Sequence, residues 1–341
     1  GAGAAAGAGV GPLAAAQTED VNHVPAYLAA TQNQDGGWYQ NFFPDGRPYC
    51  TGIQLDEVGF PILLAAKFNE LGLSGEPPVG EMVRKAAAYL AQRGPMSPQD
   101  RWEENAGASP FTLAVEVAAL VAAGRYYLEG AERDYALSLA DSWNERIEDW
   151  TYVRDTELSR SQGVDGYYVR INPPVDESGA RAEVQVKNRV GPPVPAGALV
   201  GLDFINLARL GLRAPDDKRV TDSLKVIDAI LRVDTPSGPA YHRYNGDGYG
   251  EHADGSPFDG TGIGRAWPLL SGERGQMALL QGIDPLPYLE AMAKMAGAWG
   301  LLPEQVWDSD PIPQRGLFPG MPSGIAMPLF WAHAELCELL F

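Results

Sequence analysis

The 341-residue sequence is poor in the residues that most often announce a function. Cysteine occurs only as Cys50 and Cys337, far apart and without CxxC spacing, which excludes a disulfide framework or zinc ribbon and leaves two free thiols. Histidine is limited to His23, His242, His252 and His333, scattered and never as HExxH, so no zinc-hydrolase site and no metal is expected. No phosphate-cradling glycine loop is present: GTGIGRAW at 260–267 has no apolar strand leading into it, which argues against a nucleotide cofactor. Basic charge is scarce. With 26 Lys and Arg against 44 Asp and Glu, the formal charge of −18 repels nucleic-acid phosphates and anionic lipid, leaving neutral or cationic partners. Long apolar runs are missing too. The start, GAGAAAGAGVGPLAAA, lacks the basic and apolar parts of a signal peptide or a membrane span. Residues 1–18 therefore read as a frayed or linker-like end, and a cytoplasmic or a secreted location stays open.

What the sequence does have is helical periodicity. Apolar residues recur at helical spacing over 24–32, 53–71, 80–92, 110–123, 134–147, 196–210, 218–231, 267–280, 287–298 and 326–340. Some segments are mostly apolar, such as FTLAVEVAALVAA, and others carry one charged face, so inner and outer helices of a helical toroid are expected. Long connections rich in Gly, Pro, Asp, Tyr and Trp run over 35–52, 94–109, 152–195, 234–266 and 302–323; loops of that length in a compact domain are usually functional. Alternation at 165–171 (DGYYVRI) and 181–186 (RAEVQV) predicts a small hairpin on the helical body.

Three stretches carry candidate chemistry. QDRWEENAG at 99–107 sets Asp100, Glu103 and Glu104 beside Trp102, just before an apolar helix. Like charges this close to an indole should push at least one carboxyl towards its neutral form, as a general acid requires; a solvated loop feeding charge to the helix N-terminus is the plainer reading. LPEQVWDSD at 302–310 places Glu304 after Pro303 and three residues before Trp307. Glu273, in SGERG, is a competing carboxylate, but Ser271 reads as a helix cap and Arg274 as a neighbouring charge, which favours a structural role. The loop 241–264, YHRYNGDGYGEHADGSPFDGTGIG, gathers aromatics with Arg243, Asp247, Asp254 and Asp259, a set suited to polyol recognition. Its calcium-loop likeness fails at the twelfth position, Ser256.

Seven segments, in this order, resemble the glucoamylase and glucodextranase family of glycoside hydrolases (family 15), particularly its bacterial branch: DGRPYCTGIQLDEVGFPILLA (45–65), QDRWEENAG (99–107), GYYVRINPP (166–174), YHRYNGDGYGE (241–251), RAWPLLSGERG (265–275), LLPEQVWD (301–308) and AMPLFWAHAE (326–335). The resemblance implies an all-α, (α/α)6 barrel over 19–341 and an inverting exo-glucosidase that releases β-glucose from α-glucans without a cofactor. It implies Glu103 as general acid and Glu304 as general base. It also implies Asp100, Trp102, Glu104, Arg243, Asp247, Trp267, Gln54 and Asp56 as residues that bind substrate or support those that do. An upstream β-sandwich domain is expected as a neighbour.

Two departures stand out. No Arg-Asp pair precedes Asp35, so the resemblance implies a barrel lacking its first helical hairpin and one sugar clamp, with weakened hydrolysis. Cys50 stands where the bacterial pattern has a substrate-stacking Trp. Within the family, α-1,6-specific glucodextranase and trehalase readings stay open. Outside it stand a catalytically impaired glycan-binding protein and, on the single QNQDGGW at 32–38, a terpene cyclase, for which the DxDD motif is missing.

Overall fold

A computed structural model of the chain describes residues 23–73, 79–173 and 182–340, so the Ala/Gly-rich stretch at 1–18 lies outside the described residues. Among the described residues two compact units form, one within 23–95 and 116–142 and one within 96–115 and 143–340.

In the first unit, residues 23–31 form helix α1. A short antiparallel hairpin, β1 (Asn41–Phe42) and β2 (Pro48–Cys50), leads to the packed pair α2 (Leu55–Glu70) and α3 (Gly80–Arg93). The register of α3 is set by its apolar face: Met82, Val83, Ala86, Ala87, Tyr89 and Leu90 are buried, whereas Glu81, Arg84 and Lys85 face water. The unit is completed by the second half of α4 (Pro110–Tyr126) and the first half of α5 (Gly130–Thr151), whose Glu132 binds Arg84 at 2.7 Å. The lone glutamine–tryptophan motif is a local clasp. Gln32 Nε2 donates to the carbonyls of Gly36 (2.9 Å) and Met82 (3.0 Å), and the Trp38 indole donates to Leu28 (2.9 Å), which ties the α1 exit onto α3.

The second unit holds strand β3 (Tyr152–Arg154), α6 (Glu157–Gln162), β4 (Gly166–Tyr168), β5 (Glu183–Val184), β6 (Val194–Pro195), α7 (Ile205–Arg209) and α8 (Lys218–Ile230). Then come β7 (Arg232–Thr235), β8 (Gly238–Tyr241), α9 (Pro268–Leu280), α10 (Leu286–Met295) and α11 (Phe330–Leu340). Helix α9 is its axis, buried from Pro268 to Ala278 and packed by α10 and α11. The glycines of SGERG make this possible: a Cβ on Gly272 would lie 2.8 Å from Glu335 Cβ, and one on Gly275 would lie 2.8 Å from Tyr288 Cβ. Two small residues one turn apart let two helices close on the third.

Several expectations are corrected. The strands at 165–171 and 181–186 do not pair with each other: β4 pairs with β3, and β5 pairs with β6. The helix expected at 196–210 is broken into the 3₁₀ turns Ala196–Ala198 and Leu202–Phe204 and the short α7, because Gly201 is drawn into extended pairing with Tyr244. The last helix starts at Phe330 rather than 326, after Pro328, which disfavours helix in the residue before it. Helix α6 carried no long periodicity; it is a short turn capped by Thr156, whose Oγ1 accepts from Ser159 N at 2.9 Å. Ser271 does not cap α9, which begins at Pro268; its hydroxyl donates to Pro239 O at 3.0 Å.

Glu273 is structural, but its partner is Arg101 rather than Arg274, which binds Asp228 instead. The Arg101 guanidinium lies 4.4 Å from the Trp102 ring centroid and 4.5 Å from that of Phe111, and reaches Glu273 at 2.6 Å and Asp203 at 3.1 Å. All three charged side chains are essentially inaccessible to water. Removing one partner of such a set leaves buried charge uncompensated. Arg101→Met should therefore cost about 3–5 kcal/mol in urea unfolding. Arg232→Met, at the exposed pair with Asp234, should cost less than about 1 kcal/mol. Equal losses would show that the buried set does not hold the unit together.

Candidate active site

The loop between Ser97 and Ser109 is closed at its base by antiparallel pairing of Ser97 with Gly107 and of Ala108 with Asn172. Its acidic triplet divides sharply in environment. Asp100 and Glu104 are sequestered and share the Arg170 guanidinium, which touches Asp100 Oδ2 and lies 2.9 Å from Glu104 Oε2. Glu104 is held further by Arg243 at 3.0 Å and by the Tyr244 hydroxyl at 2.6 Å. Asp100 Oδ1 also accepts from the Glu104 amide at 3.0 Å, which closes the turn. Glu103, between them, takes a left-handed backbone (φ 62°) and points its side chain outward, exposed and without a hydrogen bond among the described residues.

Arg243 organises the second wall. It grips Asp247 through two bonds of 2.7 Å, and its guanidinium lies 5.2 Å from the Trp102 ring, 5.0 Å from Tyr249 and 5.5 Å from Trp267. Trp102 and Trp267 meet edge to face with centroids 5.4 Å apart, and Trp331 stacks on Trp102 at 6.2 Å. The indole Nε1 of both Trp102 and Trp267 is buried without a hydrogen-bond partner among the described residues. Buried donors of this kind cost stability unless a ligand or water meets them, so they mark places where a polar ligand group would be received.

The third wall is the segment 304–308. Antiparallel bridges join Tyr241 to Trp267, Ala266 to Val306 and Val306 to Pro322, laying these stretches side by side. Every other polar residue of Glu-Gln-Val-Trp-Asp is an anchor. Gln305 Nε2 donates to Tyr249 O at 2.9 Å, Asp308 pairs with Arg265 at 3.0 Å, and the Trp307 ring stacks under Arg265 at 3.9 Å. Glu304 is left to face the cleft; its amide donates to Ala326 O at 2.8 Å, and Tyr249 OH lies 3.4 Å from its carboxylate.

Electrostatics follow from this arrangement. Burial pushes the Glu304 carboxyl up to about 7, against the pull of Arg243, Tyr249 and the Ala326 contact, with Glu103 adding to the rise. The Tyr249 phenol is pushed up to about 12 by burial and by both glutamates. Glu103 thus bears on Glu304 and on the same phenol, from a loop distant in sequence. Glu104 is also raised, but the cause is burial rather than the like-charge repulsion expected from the sequence; Arg170, Arg243 and Tyr244 oppose it.

Of the residues singled out in the sequence, Asp100, Trp102, Glu103, Glu104, Arg243, Asp247, Trp267 and Glu304 come together in the second unit. Gln54 and Asp56 belong to the first unit, both buried, Gln54 at the N-cap position of α2 without a side-chain cap bond and Asp56 in its first turn. Asp254 and Asp259 fold back on their own loop, onto Ser256 and onto Thr261 with His252. The solvated-loop reading of the acidic cluster holds for Glu103 alone. Sequence reasoning passed over Arg170, Tyr244 and Tyr249. The signal for Arg170 was present: an arginine inside the apolar run GYYVRI must be buried with a partner.

The fold is of the all-α, (α/α)6 class. A bacterial glucoamylase solved with acarbose matches it with a TM-score of 0.85 and 35% identity, over 95% of this chain and 46% of that one. A glucoamylase from Saccharomycopsis fibuligera matches with a TM-score of 0.64 at 15% identity, over 95% of this chain and 82% of that one, a likeness of fold alone. In sequence, the chain is 37% identical to a glucoamylase of Clostridium sp. over 332 residues, 96% of this chain and 44% of that protein. The pattern of glycosyl hydrolases family 15 matches residues 29–340, and the chain belongs to that family. It spans less than half the length of the bacterial relatives it matches.

The raised Glu304 carboxyl makes a stability prediction. A carboxyl that binds its proton more tightly folded (about 7) than unfolded (4.5) penalises the folded state when it ionises, a penalty absent below about pH 4.5 and complete above about pH 7. Glu304→Gln should therefore be more stable than the parent at pH 8, on the order of 1 kcal/mol in urea unfolding, with the two converging near pH 4.5. A variant less stable at pH 8 would contradict the burial of this carboxylate.

Proposed function

We propose that the chain is the catalytic part of an inverting exo-glucosidase of the glucoamylase kind, releasing β-glucose from the non-reducing ends of α-glucans. Glu103 is its general acid and Glu304 its general base. The observation that carries the reading is that Glu103 and Glu304, on separate loops, both bear on the Tyr249 phenol and carry no ion pair among the described residues, while Asp100, Glu104 and Asp247 beside them are tied to arginines. Family membership and the acarbose bound to the bacterial glucoamylase support it.

In this mechanism protonated Glu103 gives its proton to the glycosidic oxygen as the C1–O bond breaks. Glu304, ionised, takes a proton from the water that attacks C1 on the opposite face. The two carboxyls of an inverting pair stand about 6.5–9.5 Å apart, which leaves room for that water. The transition state is oxocarbenium-like and gains from surrounding carboxylates, while the indole donors of Trp102 and Trp267 are free to meet sugar hydroxyls. Trp102 contributes an apolar ring beside them, which suits the C–H face of a pyranose.

The test is glucose release from maltose, isomaltose, dextran, starch and trehalose. Glu103→Gln and Glu304→Gln should each lower kcat by about 10²–10⁴ on whichever substrate is cleaved. Proton NMR of the first product should show the β anomer; the α anomer would end the inverting assignment. Because Glu304 works ionised, kcat/KM should fall about tenfold per pH unit once the pH drops below about 7. Tight acarbose binding with no turnover of any substrate would favour a glycan-binding protein instead.

A further inference from the structure

The hairpin of β5 and β6 meets the turn that carries Glu103. Lys187 Nζ donates to the main-chain carbonyl of Glu103 at 3.0 Å, and the side-chain amide of Asn105, two residues on, donates to Gln185 O at 3.0 Å. The same hairpin is seated against the loop of Arg243 and Asp247. The Asn188 carbonyl fills the space that a Cβ on Gly248 would need, 1.9 Å away, and Arg189 Nη1 lies 2.9 Å from the corresponding point on Gly246. One strap thus touches both loops.

Glu103 has special need of such a contact. Its neighbours are fixed through their side chains, Asp100 and Glu104 by Arg170 and Arg243. Its own side chain is exposed and unpaired among the described residues, so its direction is set by its backbone alone. That backbone is left-handed at φ 62°, a conformation a residue with a Cβ holds only when surrounding contacts impose it. Three contacts do so here: the Glu103 amide donates to Asp100 O at 2.8 Å, the Glu104 amide donates to Asp100 Oδ1 at 3.0 Å, and the Glu103 carbonyl accepts from the Lys187 ammonium. The first two belong to the turn itself. The third comes from outside it and is charge-assisted.

We infer that Lys187 is a positioning residue for the general acid: its ammonium fixes the Glu103 peptide and so aims the Glu103 carboxyl at the glycosidic oxygen. The inference rests on the reading of Glu103 as that acid. Without the ammonium the carbonyl turns to water, the peptide after Glu103 keeps only its other end, the Glu104 amide on Asp100 Oδ1, and can tilt about that bond while Glu104 stays where its ion pairs hold it. The loss then falls on proton donation, not on sugar binding.

Leaving-group dependence reads this out. An alkoxide leaving from maltose needs the acid, whereas the phenolate leaving from 4-nitrophenyl α-glucoside needs little protonation. Parent, Lys187→Met, Lys187→Arg and Glu103→Gln are compared on both substrates with the full chain, after thermal unfolding has shown each to be folded. Lys187→Met should lower kcat on maltose by about 10- to 100-fold, with KM within about twofold and a loss below about threefold on the aryl substrate. Lys187→Arg, which keeps a charged donor, should recover most of the maltose rate. Glu103→Gln should show the same substrate dependence, more strongly. Equal loss on both substrates by Lys187→Met, no loss on either, or an effect confined to KM would overturn the role of Lys187 while leaving Glu103 as acid, provided Glu103→Gln discriminates. Equal loss on both substrates by Glu103→Gln would overturn the acid assignment and the Lys187 proposal with it.

Discussion

The candidate site depends on Glu104 being shared by two arginines. A carboxylate out of reach of water must be neutralised or paired, and Glu104 meets Arg170 on one side and Arg243 on the other, with the Tyr244 hydroxyl completing its bonds. Each arginine carries a second acid, Asp100 from the loop of Glu104 for Arg170 and Asp247 from its own loop for Arg243. The acidic loop, the GYYVR strand and the loop 241–264 are thereby joined through one side chain. Because arginine presents a planar fork, the joint fixes angles as well as distances, which a lysine in either place would not.

The same joint explains why adjacent glutamates in one triplet have different standing. Glu104 is consumed by the framework. The tight turn that lets Asp100 accept from the Glu104 amide forces the intervening Glu103 into a left-handed backbone and turns its side chain away from both arginines. On the far wall the division recurs by other means. Gln305, Trp307 and Asp308 are spent on Tyr249 and Arg265, and Glu304 is the member of that motif left over. In both walls the proposed chemistry falls to the residue that the packing does not use.

Much of this was legible in the sequence. The long periodic segments became helices within a few residues, since a buried apolar face at helical spacing leaves little choice of structure, as α3 and α9 show. The helix expected at 196–210 failed because Gly201 pairs with Tyr244, a contact no local pattern encodes. The strand partners failed for a related reason: alternation marks which residues lie on a strand face but not which strand lies beside it. In the site, the carboxylates at 100–104 were visible because acids cluster there, whereas Glu304 stood out only through the family resemblance. Arg170, Tyr244 and Tyr249 were not singled out, because each sits alone in sequence and gains its meaning from a partner far along the chain. Glu273 pairs with Arg101, far along the chain, rather than with the adjacent Arg274, which points to Asp228.

The proton affinities bear on the two proposed roles in a way that geometry must arbitrate. A base should be ionised at working pH, yet burial lifts Glu304 to about 7. Burial is the largest influence on it, and Arg243 and Tyr249 already oppose that influence from one side of the cleft. Positive charge developing on a sugar ring would oppose it from the other, favouring the carboxylate at the moment it must accept a proton. A half-buried carboxyl that ionises reluctantly on its own and readily beside an oxocarbenium ion binds its proton more strongly at the end of the reaction than a solvated one would. The cost in stability of keeping such a group is the cost of making it a base strong enough to draw a proton from water.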